Sequence, residues 1–281
     1  MNVQKNLAIP FLRGKLYVLS FISRSHAGKE AFRLFCTPLT RFKGKPSAVL
    51  TNGEALEILL DGKKIKGFRC NPSGTKKVLI LHGFASSCHK FDKYAAELIK
   101  KNYEVFAFDA PAHGASDGKT VNAVEYSDMI RAVSAKYGPF DGFVAHSFGG
   151  IAVSLALEHL EHSPETKVVL IAPATETVSA IDGAFKMLGI RGHLVKDCLH
   201  DHIFRVSGQK AAWFSVRRAM RNIKASVLWV HDEDDTVTPV ADALRVKEDN
   251  LLHIKFMITR GLGHQKIYRD NEVRTAILNF F

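Results

Sequence analysis

The spacing of hydrophobic and polar positions changes along this 281-residue chain. From residue 77 onward, short apolar runs alternate with stretches of helical spacing, a pattern typical of βαβ units in a parallel sheet that is buried on both faces. This pattern predicts strands at 78–81, 104–108, 142–145, 167–171, 226–230 and 255–258. It predicts helices at 90–101, 123–137, 148–159, 239–246 and 271–280. The chain is therefore predicted to have an α/β fold with a mostly parallel, doubly wound sheet.

Two further stretches extend this pattern. Residues 55–60 and 64–70 flank Asp61-Gly62, a two-residue turn signal that predicts an antiparallel hairpin at the start of the sheet. About 50 residues between Pro173 and Ala225 have helical character and contain no predicted strand, which is too long for an ordinary connection. We therefore predict three parts: a basic amphipathic segment at 1–46, a core at 47–173 and 225–281, and an inserted helical cap at 174–224.

The net charge of +11 is unevenly distributed. Residues 1–46 hold nine Lys and Arg against one acid, Glu30, so the rest of the chain is nearly neutral. This imbalance argues against a nucleic-acid-binding core, and we expect no nucleic-acid partner. No apolar run is long enough to predict a membrane span, and no secretory signal is predicted.

The four cysteines are widely spaced, which predicts neither a disulfide framework nor a zinc site. We therefore expect a cytoplasmic protein. A group of metal-binding residue types does occur in the predicted cap, but without the spacing of a known metal motif, and we interpret it as a solvated helix face. That group is His193, Asp197, Cys198, His200, Asp201 and His202. We predict no metal and no cofactor.

Ser147 is the candidate nucleophile. It lies in the sequence Ala145-His146-Ser147-Phe148-Gly149, between a predicted strand and a helix rich in small residues. A sharp strand-to-helix turn of this kind holds a serine in a strained conformation with its hydroxyl exposed.

His264 is the candidate general base, because it lies on a glycine-flanked loop after the last predicted strand. Imidazole titrates near neutral pH, so it can take the serine proton and return it to a leaving group. An ionised carboxylate must hold that imidazole in the right tautomer. The loop after strand 226–230 offers Asp232, Asp234 and Asp235, of which we choose Asp235; the other two remain alternatives.

The backbone N–H groups of Phe84 and Phe148 are the candidate oxyanion-hole donors. Acyl transfer places negative charge on the former carbonyl oxygen, and two such donors stabilise it. Phe84 follows His82-Gly83 at the end of the first parallel strand, and we interpret His82 as a brace for that loop.

With these motifs the chain resembles the α/β-hydrolase superfamily, and most closely its lysophospholipase and monoglyceride-lipase-like or serine-aminopeptidase-like branch. Residues 108–118, with Asp109, His113, Gly114 and Ser116, resemble the family's D-x-x-G-H-G-x-S loop. The order serine, acid, histidine is also that of the family. Ala145 stands where the family usually has the first glycine of its strand-to-helix turn at the nucleophile. Asp232 stands where the family's usual H-G-x-x-D pattern has glycine. The resemblance covers roughly residues 55–281 and implies an α/β-hydrolase fold with an inserted helical cap.

The expected function is hydrolysis of a small-molecule carboxylic ester or thioester through an acyl-enzyme on Ser147. Amide or peptide hydrolysis with the same triad is an alternative, and so is a non-catalytic binding protein on this fold. The residues that bind the substrate are not predicted.

The basic segment at 1–46 lies outside the resemblance. Its apolar clusters are interrupted by single basic residues, a pattern that suits an interfacial helix, so we expect peripheral association with anionic membranes. The alternative is a helix packed against the sheet edge with a solvated basic face.

Overall fold

The structure, a computed structural model, describes residues 3–281. It divides into two compact units. The first, called here the helical unit, contains the described residues up to Thr37 together with Glu176–Phe214. The second, the sheet unit, contains Pro38–Thr175 and Ser215–Phe281. The predicted division at residues 46, 173 and 224 remains a prediction; the compact units change at 37, 175 and 214.

The elements of both units are numbered in chain order. The strands are β1 Glu54–Leu60, β2 Lys63–Cys70, β3 Lys76–Leu81, β4 Tyr103–Phe108, β5 Gly142–His146, β6 Lys167–Ile171, β7 Ser226–Asp232 and β8 Ile254–Thr259. The α-helices are α1 Val3–Ile22, α2 Arg24–Phe35, α3 Ala48–Thr51, α4 Asp92–Lys100, α5 Ala123–Tyr137, α6 Phe148–Leu157, α7 Thr177–Leu188, α8 Leu194–Ser207, α9 Val216–Met220, α10 Val240–Glu248, α11 Gly263–Lys266 and α12 Asn271–Phe280. Short 3-10 helices lie at Cys88–Phe91, Ala211–Trp213 and Ile267–Arg269.

The sheet unit contains one eight-stranded sheet in the order β1-β2-β4-β3-β5-β6-β7-β8. Strand β2 is antiparallel to both β1 and β4, and every other neighbouring pair is parallel. The predicted mostly parallel α/β sheet is therefore confirmed. The hairpin is confirmed as well: Asp61 and Gly62 both have positive φ, as a type I′ turn requires.

Burial explains why the central strands read as continuous apolar runs. All six residues of β4 are buried, because helices cover both faces of a parallel sheet. Helix α6 lies close to the sheet and is buried along nearly its whole length. One residue, the candidate nucleophile Ser147, separates the end of β5 from the start of α6.

The helical unit contains α1, α2, α7 and α8. Helices α2 and α8 approach so closely at Gly28 that a Cβ there would lie 2.1 Å from the carbonyl oxygen of Cys198. A residue larger than glycine would therefore force these helices apart. Among residues 3–281, no helix combines the length and the apolar character needed to cross a bilayer.

Candidate active site

Ser147 forms a strained turn between β5 and α6. Its backbone angles, φ 53° and ψ −116°, lie where residues with a side chain are rarely found. Gly149 allows the turn, because a Cβ at that position would lie 2.8 Å from the carbonyl oxygen of Leu81. Ala145, where the family pattern has glycine, is buried within β5, and the strand accommodates its methyl group.

The three residues predicted as a triad lie in hydrogen-bond contact. Ser147 Oγ is 3.0 Å from His264 Nε2. His264 Nδ1 is 2.8 Å from Asp235 Oδ2. The carboxylate has no proton to give, so Nδ1 carries the hydrogen and Nε2 is left to accept the serine proton. The arrangement therefore presents a hydroxyl next to a base in the required tautomer.

Four donors hold the Asp235 carboxylate. Oδ1 accepts the backbone N–H of Val237 at 2.8 Å and that of Thr238 at 2.9 Å. Oδ2 accepts from His264 and from the Thr238 hydroxyl, each at 2.8 Å. Burial on its own would raise the pKa of Asp235, but the hydrogen bond and charge of His264 and these N–H groups lower it below its ordinary value. The carboxylate is therefore ionised at neutral pH.

Asp232 and Asp234, the alternatives for the acid, bind the backbone where the loop after β8 leads into α11, the short helix that carries His264 near its start. Asp232 is fully buried and accepts the N–H groups of Leu262 at 3.1 Å and Gly263 at 2.8 Å. Its carboxylate also accepts the Thr259 hydroxyl at 2.7 Å and the Asp234 N–H at 3.0 Å. Asp234 accepts the Gly261 N–H at 3.0 Å. Burial would raise the pKa of Asp232, but these donors lower it.

Two contacts at the site were not predicted from the sequence. The buried ring of His146 lies 4.9 Å from that of His264, and its Nε2 lies 3.2 Å from the His264 carbonyl oxygen. Burial, together with the charge of His264, lowers the pKa of His146 to about 3, so it is a neutral donor. The hydroxyl of Thr238, which donates a hydrogen bond to Asp235, also lies 3.2 Å from His264 Nδ1. The only sequence signals were proximity: His146 precedes Ser147, and Thr238 lies three residues after Asp235.

The candidate oxyanion donors, Phe84 and Phe148, belong to segments that lie next to Ser147. Phe148 opens α6, where the first N–H groups of a helix have no partner within it. Gly83, which precedes Phe84, contacts the nucleophile: a Cβ there would lie 3.0 Å from Ser147 Cβ. The rings of Phe84 and Phe148 are perpendicular with their centroids 5.5 Å apart. Both residues are therefore adjacent to Ser147.

A pair of buried histidines braces the Phe84 loop. His82 Nε2 accepts the N–H of Ala110 at 3.0 Å, and His113 Nε2 accepts the N–H of Ala85 at 2.9 Å. Burial lowers the pKa of both histidines, that of His113 to about 4, so both stay neutral and able to accept. These reciprocal bonds tie the loop after β3 to the loop after β4.

The metal-binding residue types of α8 do not converge. Within the described part of the chain, no group of three or more His, Cys, Asp or Glu is arranged to hold a metal ion. Asp201 pairs with Arg24 at 2.9 Å.

Parts of this chain are similar to known proteins. The family model described as serine aminopeptidase, S33, matches residues 73–205. Monoglyceride lipase of Rattus norvegicus is 32% identical over 113 residues, covering 36% of this chain. The match spans 37% of the length of that curated relative.

Two solved structures show the same fold. An esterase of Pyrococcus furiosus superposes with a TM-score of 0.64 at 20% identity, over 85% of this chain and 96% of its own. Est1E of Butyrivibrio proteoclasticus, solved with ferulic acid, superposes with a TM-score of 0.65 at 21% identity, over 80% and 97%. With the sheet order and the strand-to-helix turn at Ser147, these likenesses show that the chain has the α/β-hydrolase fold.

Proposed function

We propose that this protein is a serine hydrolase that cleaves a small-molecule carboxylic ester or thioester through an acyl-enzyme on Ser147. The observation that carries the proposal is the continuous hydrogen-bonded path from Ser147 Oγ through the His264 ring to the Asp235 carboxylate. A serine hydroxyl is a weak nucleophile until a neighbouring base takes its proton. A surface serine that only caps a helix needs neither a strained backbone nor a base held by an ionised acid.

The first half of the cycle forms the acyl-enzyme. Ser147 Oγ attacks the carbonyl carbon while its proton passes to His264 Nε2, and the carbonyl π electrons move onto oxygen. Asp235 stabilises the resulting imidazolium by its negative charge. When the tetrahedral intermediate collapses, the bond to the leaving alkoxide or thiolate breaks, and His264 returns the proton to that leaving group.

The second half releases the acid. His264 takes a proton from water, whose oxygen attacks the acyl carbon, and collapse of the second intermediate returns the proton to Ser147 Oγ. The backbone N–H groups of Phe84 and Phe148 stabilise the oxyanion in both steps. Removal of one such donor costs ~3 kcal/mol in other hydrolases. No step requires a cofactor.

Named relatives support an ester substrate. The rat protein is named a lipase, and the Pyrococcus protein an esterase. A second candidate is hydrolysis of an amide or peptide bond by the same residues. The specific observation in its favour is the matching family model, which is described as a serine aminopeptidase.

Active-site labelling tests whether the site is catalytic at all. A fluorophosphonate probe should label the wild-type chain and fail to label Ser147→Ala, while Ser154→Ala, a serine within α6, should label like wild type. Labelling that persists in Ser147→Ala would refute the assignment of the nucleophile. An unlabelled, correctly folded wild-type chain would favour a non-catalytic binding protein.

Substrate panels then separate the two candidate reactions. p-Nitrophenyl esters of increasing acyl length and aminoacyl p-nitroanilides release the same kind of chromophore, from an ester and from an amide respectively. We expect the esters to have the higher kcat/KM. A preference for the anilides would replace the ester proposal by the peptidase one.

A further inference from the structure

One face of α1 presents large apolar side chains to solvent. Phe11 is 76% exposed, Val18 57%, Phe21 79% and Ile22 76%. Phe11, Val18 and Ile22 are spaced by seven and four residues, which places them on one side of an α-helix, and Phe21 borders them. We call these four residues the α1 stripe. Four exposed side chains of this size within three turns of one helix mark an interaction surface rather than scattered surface residues.

The opposite side of α1 is the one that packs within the helical unit. Leu16 and Ser20, four residues apart, are buried. The Tyr17 hydroxyl donates to the Arg191 carbonyl at 2.6 Å and accepts the Arg191 N–H at 2.7 Å. Packing therefore fixes the rotation of α1 about its axis and leaves the stripe outward.

The charge of the helical unit indicates the kind of partner. Residues 1–37 and 176–214 hold 11 Lys and Arg against five Asp and Glu. Helix α2, which follows α1 directly, carries an exposed Lys29 and an exposed Arg33. An apolar helix face within an excess of cations is the combination that binds an interface between acyl chains and anionic headgroups.

We propose that the α1 stripe inserts into the headgroup region of an anionic phospholipid bilayer, with α1 lying parallel to the membrane plane. A stable protein interface buries ~800 Å² on each partner, whereas this stripe consists of four side chains on a single helix. Such a surface is too small for a stable dimer yet suited to shallow insertion. This proposal does not depend on the proposed hydrolase activity.

Vesicle co-sedimentation tests it with the full chain. Wild type should pellet with phosphatidylcholine vesicles that contain phosphatidylserine at low salt, and high salt should release it because salt screens surface charge. Phe11→Ser/Phe21→Ser should reduce the bound fraction ~10-fold or more, since binding scales with the apolar area inserted. The matched control is Leu59→Ser/Leu252→Ser, which removes two apolar side chains of the sheet unit that are 73% and 102% exposed, and it should bind like wild type.

Three results would overturn the proposal. The first is wild type that ignores phosphatidylserine vesicles at low salt. The second is equal binding by Phe11→Ser/Phe21→Ser, with its folding checked by circular dichroism. The third is sedimentation velocity, without vesicles, showing a dimer that this double variant abolishes, because a second copy would then cover the stripe. Unchanged hydrolysis of soluble p-nitrophenyl acetate by Phe11→Ser/Phe21→Ser separates membrane binding from catalysis.

Discussion

Replacing Asp235 with asparagine should abolish most activity while leaving the protein folded. Asparagine is nearly the same shape, but one of its two terminal groups is a donor. If the amide nitrogen faces His264, Nδ1 must give up its hydrogen, which leaves Nε2 protonated and unable to accept from Ser147. A wrong tautomer of this kind costs ~10⁴ in kcat, which is ~5 kcal/mol of transition-state stabilisation.

Asp232→Asn should give the opposite balance, with a moderate loss of activity and a large loss of stability. Its buried carboxylate accepts four hydrogen bonds, from Thr259, Asp234, Leu262 and Gly263. One amide oxygen can keep about two of them, and hydrogen bonds to a charged group contribute ~1.5–3 kcal/mol each. We therefore expect ~3–6 kcal/mol less free energy of unfolding. A shift of the His264 loop by ~1 Å would cost ~10² in kcat.

Asp234→Asn is the matched control on the same loop. Asp234 is exposed, and the asparagine oxygen can still accept the Gly261 N–H, so stability should change by less than ~1 kcal/mol. Steady-state kcat on p-nitrophenyl acetate and urea unfolding should be measured on all three variants. An Asp235→Asn protein that keeps its activity, or an Asp232→Asn protein that loses ~10⁴ without loss of stability, would move the catalytic acid to Asp232.

Three further outcomes are expected. Ser147→Ala, His264→Ala and the double variant should each lose a similar ~10⁵–10⁶ in kcat, because both residues act in one cycle; a double loss equal to the product of the single losses would contradict this. Thr238→Val removes the hydroxyl that binds Asp235 and should lower kcat ~10-fold at unchanged KM, whereas Thr238→Ser should restore it. Acid should destabilise the fold. Burial lowers the pKa of His113 to about 4 and that of His146 to about 3, from the ordinary value of 6.5, so as the pH falls these histidines are protonated in the unfolded chain before they are protonated in the folded one. The urea midpoint should therefore fall as pH drops below ~6.5, and a midpoint constant between about pH 7 and about pH 5 would contradict it.

The sequence was informative wherever a signal was local. Asp61-Gly62 specifies a hairpin turn within two residues, and each predicted strand was found with its ends extended by two residues at most. The candidate triad could also be predicted, because a strand-to-helix serine, a loop acid and a glycine-flanked histidine each carry a local pattern. The roles of these residues remain predictions, but the structure brings their side chains together.

Contacts between distant loops could not be predicted. The sequence presents Asp232 only as an alternative acid, and only the fold shows its carboxylate bound to Leu262 and Gly263, some 30 residues away. His146 contacts the backbone of His264 across 118 residues. The α2–α8 contact between Gly28 and Cys198 spans a still longer stretch of sequence. Such pairs depend on how distant elements pack together, which no single segment encodes.

At position 232, where the family pattern has glycine, this chain has an aspartate that binds the backbone just before His264. Gly261 and Gly263 adopt positive φ, so the loop follows a path that other residues would resist. Glycines allow this backbone path but do not hold it in place. When a general base is displaced from its position, the reaction rate falls steeply. Asp232 fixes the backbone on one side of His264, and the His146 ring donates to its carbonyl. In the proposed mechanism, Asp235 then orients the ring and stabilises its protonated form. Asp232 and His146 are buried, so we expect that weakening these supports lowers kcat and leaves KM nearly unchanged.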